Sequence, residues 1–240
     1  MGRAGRPQRA HPAPGRPRDR RRRASHHVRG RLGPARHRSV DARRGGDVSV
    51  VAIDTSARPR CVCVLATRDG ELIRAEATTG VALDVALPHA LAALLDSTVE
   101  AVVVAVGPGS YTGLRSGIAA GLGVAHALDL TLHGVGSLTV IAAGHPAEAG
   151  ARVWVGADAG RGGLWVAAAE GIDGSWRVAA PERVELARFD PGGLPVLSTD
   201  PLHLVGLREV RPEVALAHVV PIALQSVALP RAGLRAAYVE

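Results

Sequence analysis

The most constraining stretch of the chain reads Val106-Gly107-Pro108-Gly109-Ser110-Tyr111-Thr112-Gly113-Leu114-Arg115-Ser116-Gly117. The run 99–106, which is apolar except for Glu100, leads into it, so the pattern predicts a buried parallel strand, a glycine turn and a helix to about Leu128. Backbone N–H groups at such a turn, together with a helix start, can hold an anion. Because Thr112 replaces a third glycine and the chain has no lysine, neither the dinucleotide fingerprint nor the Walker loop fits. A tight turn that merely needs small residues is the alternative.

The helix after this turn carries two stripes along its length. The aliphatic stripe consists of Leu114, Ile118, Leu122 and Ala125, and the small-residue stripe of Gly113, Gly117, Ala120, Gly121 and Val124. Each glycine inside a helix costs about 1 kcal/mol relative to alanine, so several of them indicate the close approach of another backbone. That backbone belongs either to the same chain or to a partner helix, and in the second case the stripe is a protein interface.

The flanking sequence predicts two similar α/β lobes. Three strands joined as hairpins come first, at 48–53, 61–66 and 71–78, and a helix with Pro88 near its start follows them. After the central helix we expect a strand near 130–133 and a helix from Ser137, which would act as its N-cap. Strands at 152–157, 163–169 and 176–180 repeat the opening pattern, and further strands are expected at 194–197 and 204–207. Pro221 interrupts the apolar run 213–229, so no helix is predicted there.

Composition bounds the protein class. The chain has 240 residues, 47% of them hydrophobic and 21% charged, which predicts one or two domains with an aliphatic core. No apolar run approaches the roughly 20 residues of a membrane helix, so we expect no membrane contact and a cytoplasmic location. The absence of lysine excludes a Schiff-base lysine and a lysine general base.

The net charge of +7 divides unequally along the chain. Residues 1–46 hold 15 arginines against Asp19 and Asp41 (+13), whereas 47–240 hold 14 arginines and 20 acidic residues (−6). The first segment, rich in Arg, Gly, Ala and Pro, is predicted to be a disordered tail. We favour an upstream extension, with translation starting at Val48 or Val50. The alternative is an electrostatic arm that binds RNA.

Candidate catalytic chemistry is sparse. Asp54 ends the first strand, where an acidic residue can help to hold Mg-nucleotide, but we favour a backbone-capping role for it. Cys61 and Cys63 lie two apart on a predicted strand and are interpreted as core residues. The histidines of the domain lack metal-site spacing, so no metal site is predicted. The weak nucleotide-binding set is therefore Asp54, Gly107, Gly109, Ser110 and Thr112.

Several of these stretches resemble the TsaB (YeaZ) family. The resemblance covers about 48–240 and is strong to Gly144. Its motifs are Val51-Ala52-Ile53-Asp54-Thr55-Ser56, the stretch 106–117, Gly134-Val135-Gly136-Ser137-Leu138, the segment 158–167 and Ala237-Tyr238-Val239. The first-lobe helix departs from the family pattern at Ala82, which stands where a histidine is usual, whereas Asp84 stands at the position that is usually acidic.

The resemblance implies a duplicated RNase H-like fold of the actin-like ATPase superfamily, with a first lobe at 47–150 and a reduced second lobe at 151–240. It also implies a non-catalytic subunit that helps to make N6-threonylcarbamoyladenosine in tRNA. The partners would be the transferase TsaD, the ATPase TsaE and, through the complex, tRNA; the sequence leaves open whether a homodimer forms when TsaD is absent. ATP and metal would reside on the partner subunits, and this chain would hold no cofactor.

The same resemblance places the TsaD interface on the helices of the first lobe. It carries over to Gly113, Leu114, Gly117, Ile118, Gly121 and Leu122. Two functions of other classes remain alternatives. One is a stand-alone ATPase or phosphotransferase using Asp54 and the Gly107 loop, and the other is an RNA binder using the arginine-rich tail.

Overall fold

The structure is a computed structural model that describes Gly2 and residues 48–229. The predicted tail 1–46 and the motif around Tyr238 lie outside the described residues. Residues 48–229 all belong to one compact unit.

The first sheet has five strands in the order β3-β2-β1-β4-β5. They are β1 Ser49–Asp54, β2 Arg60–Thr67, β3 Leu72–Thr79, β4 Val99–Gly107 and β5 Thr131–Gly136. The first three strands pair antiparallel, and β4 and β5 add in parallel. β1 is buried on both faces, as its continuous β-branched and apolar sequence predicts.

The second sheet repeats this topology. It consists of β6 Arg152–Gly160, β7 Gly163–Ile172, β8 Ser175–Val178, β10 Val196–Ser198 and β11 Leu207–Glu209, with β9 Glu182–Glu185 paired to β7. The order β8-β7-β6-β10-β11 matches β3-β2-β1-β4-β5, and the parallel pairs fall at the same places. The duplicated RNase H-like topology is thus confirmed. Between residues 152 and 209 the chain forms a single 3-10 turn and no α-helix, so the second lobe is reduced as expected.

The helices cover the first sheet on both faces. They are α1 Leu83–Leu94, α2 Tyr111–Ala127, α3 Ser137–Ala143, α4 Pro212–His218 and α5 Val220–Leu224. One face, with Ile53 and Cys63, packs against α1 and α2. The opposite face, with Val50 and Val103, forms one continuous core with α3, α4, α5 and the inner face of the second sheet. The two lobes therefore share a core.

Three boundaries differ from the sequence expectations. Pro88 lies six residues into α1 on its exposed side, where the carbonyl that loses its amide partner can turn to water. Ser137 is the first residue of α3 and not its cap, and its buried Oγ has no hydrogen-bond partner. The helices α4 and α5 occupy the run in which none was predicted, because Pro221 stands in the first turn of α5, where a missing N–H costs nothing.

The chain after α5 runs along the free edge of β5. The N–H of Leu229 donates to the carbonyl of Leu132 at 2.7 Å. The Leu229 side chain occupies the space above Gly134, where a Cβ would come within 2.7 Å of its Cδ1 atom.

Candidate functional site

The small-residue stripe of α2 packs against the first sheet of its own chain. A Cβ on Gly113 would overlap the carbonyl oxygen of Thr55, and one on Gly117 would overlap the Thr55 hydroxyl. Thr55 Oγ1 donates a hydrogen bond to the carbonyl of Gly113 at 2.8 Å. The two glycines therefore let α2 approach the end of β1 closely, which is the same-chain alternative left open by the sequence.

The predicted interface residues are mostly covered by this packing. Gly113, Leu114, Gly117, Ile118 and Gly121 are buried, and Leu122 is half-buried. Leu114 is 1% exposed and Ile118 is 5% exposed. The first five thus lie against the first sheet of their own chain and offer little surface to a partner, and contact through them stays a prediction. Contact through Leu122 stays a prediction.

The glycine turn packs against the segment that follows β1. Gly107 is buried and has a φ of 117°, a conformation that favours glycine. Gly109 lies directly on Ser56, where a Cβ would come within 2.6 Å of the Ser56 carbonyl oxygen. The Ser110 N–H donates to that same oxygen at 2.7 Å. The Ser110 N–H is thus used in a hydrogen bond within the chain itself, as is typical of a tightly packed turn.

Asp54 and Ser110 both act as local caps. Asp54 is buried, and its Oδ1 accepts a hydrogen bond from the Ser56 N–H at 2.8 Å, which is the capping role favoured from the sequence. Ser110 is the N-cap of α2, and its Oγ accepts from the Gly113 N–H at 3.3 Å. Thr112 is exposed in the first turn of α2.

A cleft of about 280 Å³ opens beside this turn. Its walls come from the tip of the β1–β2 hairpin, the start of α1 and the start of α2. They include Thr55, Arg58, Arg60, Val81, Ser110 and Thr112. Arg58 Nε donates to Ser110 Oγ at 2.6 Å across one side of the cleft.

The outer faces of α1 and α2 beside this cleft are poor in charge. The two helices have 12 and 17 residues, and apart from histidine their only charged residues are Asp84 and Arg115. Val85 is 50% exposed and Tyr111 is 53% exposed, and the Arg115 guanidinium lies over the Tyr111 ring at 5.3 Å. A solvent-facing helix surface usually carries charged residues, whereas apolar and aromatic residues with few charges are typical of an interface core.

An ion pair joins the hairpin tip to the second lobe. Arg60 donates to Asp200 Oδ1 at 3.1 Å, and its guanidinium also binds the carbonyl and hydroxyl oxygens of Thr199, both at 2.8 Å. The Arg60 and Asp200 side chains are 15% and 12% exposed. The pair is thus largely shielded from solvent, and its loss leaves a buried charge unpaired.

The two cysteines are core residues, as the sequence predicted. Both are free and buried on the face of β2 that packs against α1. The hydrogen bond with Cys61 and burial raise the pKa of the Cys63 thiol well above its ordinary value, which keeps that thiol protonated and unreactive.

Two further properties concern the described residues as a whole. Within 48–229, no three His, Cys, Asp or Glu side chains come together as a group that could hold a metal ion. The helices of this part of the chain are all too short or too polar to cross a membrane.

The fold is similar to solved structures of one family. YeaZ from Pseudomonas aeruginosa superimposes with a TM-score of 0.61 at 22% identity, over 80% of this chain and 100% of that one. The chain has the YeaZ fold. A second solved structure, of an uncharacterized protein with similarity to peptidase YEAZ from Pseudomonas aeruginosa, gives a TM-score of 0.60 at 21% identity, over 80% of this chain and 100% of that one.

Sequence comparison agrees with the YeaZ fold. Residues 81–195 match the family model described as TsaD: tRNA N6-adenosine threonylcarbamoyltransferase. Uncharacterized proteins of Mycobacterium tuberculosis and Mycobacterium bovis are 37% identical over 101 residues, which cover 39% of this chain and 47% of theirs. The chain thus spans about half the length of the curated relatives it matches. The fold that the resemblance to the TsaB (YeaZ) family implied is confirmed.

Sequence reasoning missed two features of this candidate site. The outer faces of α1 and α2 were overlooked, although the low charge of 83–94 and 111–127, which hold only Asp84 and Arg115 apart from histidine, could have revealed them. The pairing of Arg60 with Asp200 joins residues 140 apart in the chain. The turn at 57–60 was recognised, but nothing in the sequence indicated where its arginines point.

Proposed function

We propose that this chain is a non-catalytic dimerisation and scaffold subunit of the complex that makes N6-threonylcarbamoyladenosine in tRNA. It would pair with TsaD and so support threonylcarbamoyl transfer to the adenosine beside the anticodon. ATP and metal would then be held by TsaD and TsaE, and tRNA would be bound through the complex in the cytoplasm.

The observation that carries this proposal is the charge-poor outer face of α1 and α2. Three large apolar or aromatic side chains beside it, Val81, Val85 and Tyr111, each expose at least two fifths of their surface. Tyrosine and arginine, as in the pair Tyr111–Arg115, are the side chains that contribute most at protein interfaces. The YeaZ fold and the match of 81–195 to the TsaD family model support a partner from the same modification system. This surface replaces the buried stripe of α2 as the proposed TsaD-binding face.

Co-expression with the TsaD of the same genome, followed by size-exclusion chromatography, tests the proposal. We expect the two proteins to elute together. We expect Val85→Arg to weaken the complex at least about tenfold, since a charge would be buried without a partner at the interface. Val205→Arg is the matched control, because Val205 is 86% exposed on the second lobe. A wild-type chain that elutes apart from TsaD contradicts the proposal.

A stand-alone ATPase is the second candidate, because Asp54 and the glycine turn both contact Ser56. If the chain is a scaffold, the purified protein hydrolyses no ATP. Hydrolysis that is lost in Asp54→Ala would instead favour the ATPase. Asp190→Ala is the control, since the exposed Asp190 caps the Gly192 N–H at 2.9 Å with the same local geometry.

A further inference from the structure

The tip of the β1–β2 hairpin, residues 57–60, is held from two sides. Arg58 reaches Ser110, the N-cap of α2 in the first lobe. Arg60 reaches Thr199 and Asp200, which follow β10 in the second lobe. Two arginines two residues apart thus tie one short turn to both lobes.

The carboxylate that accepts from Arg60 is held in place by hydrogen bonds within the second lobe. Asp200 Oδ2 accepts a hydrogen bond from the Asp158 N–H at 2.9 Å, at the end of β6. The Asp200 N–H in turn donates to Ser198 Oγ at 3.0 Å, and Ser198 is fully buried. One oxygen of the Asp200 carboxylate is therefore bound by Arg60 and the other by the end of β6. A pair with so many hydrogen bonds holds the Arg60 guanidinium in one position relative to the second lobe.

The same tip forms a wall of the cleft next to the proposed TsaD-binding face. Arg58, Pro59 and Arg60 line it on one side, and Val81 and Thr112, from the starts of α1 and α2, line it on the other. Any shift of the tip changes the shape of this cleft and removes the Arg58 hydrogen bond from the N-cap of α2.

We propose that Arg60 and Asp200 act as a latch through which the second lobe positions the cleft and the first turn of α2 for the partner. Arg60 is a positioning residue in this scheme, since it acts through the hairpin tip. The expected effect of the latch on TsaD binding rests on the proposed function. Its expected effect on the hairpin tip and α2 does not.

Hydrogen exchange of the full chain, followed by mass spectrometry, tests the latch. We compare the wild type with Arg60→Met, with Asp200→Asn and with the double variant, in which no buried charge is left unpaired. We expect the backbone amides of each variant at 55–60 and at 110–117 to exchange at least about tenfold faster than in the wild type. Without the ion pair, local opening of these segments costs less free energy. The decisive result is that of Asp200→Asn, since a change in the second lobe then alters a helix of the first.

Arg68→Met is the matched control. Arg68 follows the other end of β2 and pairs with Glu100 inside the first lobe, so its loss should leave exchange at 110–117 unchanged. Unchanged exchange at 110–117 in the double variant overturns the latch. Equal acceleration in Arg68→Met overturns it as well, because the effect would then be general loosening of the sheet.

Binding to TsaD gives the second readout. We expect Arg60→Met and Asp200→Asn to weaken the complex about tenfold and Arg68→Met to leave it unchanged. Faster exchange at 110–117 with unaltered affinity overturns the role of the latch in partner binding. If the wild type fails to bind TsaD, the proposed function fails, and the exchange experiment alone decides whether the latch exists.

Discussion

At the scale of single residues, the glycines of α2 differ sharply in what surrounds them. Gly113 and Gly117 lie on Thr55, whereas Gly123 is exposed, and a Cβ added there would have no other atom within 4 Å. The sequence indicated that several glycines of α2 disfavour the helix and must be offset by close packing. It did not distinguish Gly113 and Gly117, which permit such packing, from Gly123, which does not. Only the three-dimensional position of β1 makes that distinction.

Gly117→Ala should lower the free energy of unfolding by about 1–3 kcal/mol, because its methyl group would overlap the Thr55 hydroxyl and disturb the hydrogen bond to Gly113. Gly123→Ala should raise it by about 0.5–1 kcal/mol, since alanine is the better helix former. Urea denaturation followed by circular dichroism measures both. Equal effects of the two substitutions would contradict the packing described for α2.

At the scale of elements, most strands and both long helices could be predicted from the sequence. The runs around Val50, Val64 and Val103 are long, apolar and β-branched, so their type was clear. The helices α4 and α5 were not predicted, because both are short and Pro221, which lies in the first turn of α5, was interpreted as an interruption of one longer run. They are stabilised by packing on the first sheet, with Leu216 and Val219 fully buried, and no local pattern carries that information.

The start of α4 should make stability depend on pH. Burial raises the pKa of Glu213, but hydrogen bonds from Arg211 and the positive charges of Arg211 and Arg60 outweigh it and hold that pKa below its ordinary value of 4.5. A carboxyl with a lowered folded pKa stabilises the protein above its unfolded pKa, and this contribution is lost as the pH falls through the folded value.

Melting temperatures between about pH 5 and pH 3 measure this contribution. We expect the wild type to lose more stability over this range than Glu213→Gln, which carries no titrating group at that position. Parallel curves for the two proteins would show that Glu213 is not linked to folding.

At the scale of the whole molecule, the shared core predicts a single unfolding transition. The inner faces of both sheets meet in one cluster with α3 and α4. All three tryptophans, Trp154, Trp165 and Trp176, belong to the second sheet, whereas the long helices α1 and α2 belong to the first lobe. Tryptophan fluorescence and helical circular dichroism therefore report different lobes, and we expect their denaturation midpoints to coincide. A lower midpoint by fluorescence would mean that the second lobe unfolds alone.

Removal of residues 1–46 tests the arginine-rich tail. The cores of the described chain are built from residues between Val50 and Ala223. A chain starting at Val48 should thus keep the melting temperature of the full chain and still bind TsaD. Loss of TsaD binding would contradict this expectation, and loss of tRNA binding by the shortened chain alone would favour the RNA-binding arm.

The backbone that follows α5 has a consequence for how the protein meets other molecules. By bonding to Leu132 and filling the space over Gly134, Leu229 closes the β5 edge at that point. An uncovered edge of this kind invites strand addition, which is a route to domain swapping and fibrous aggregates. We therefore expect Leu229 to hinder the pairing of a second chain with β5 at this point in concentrated solution.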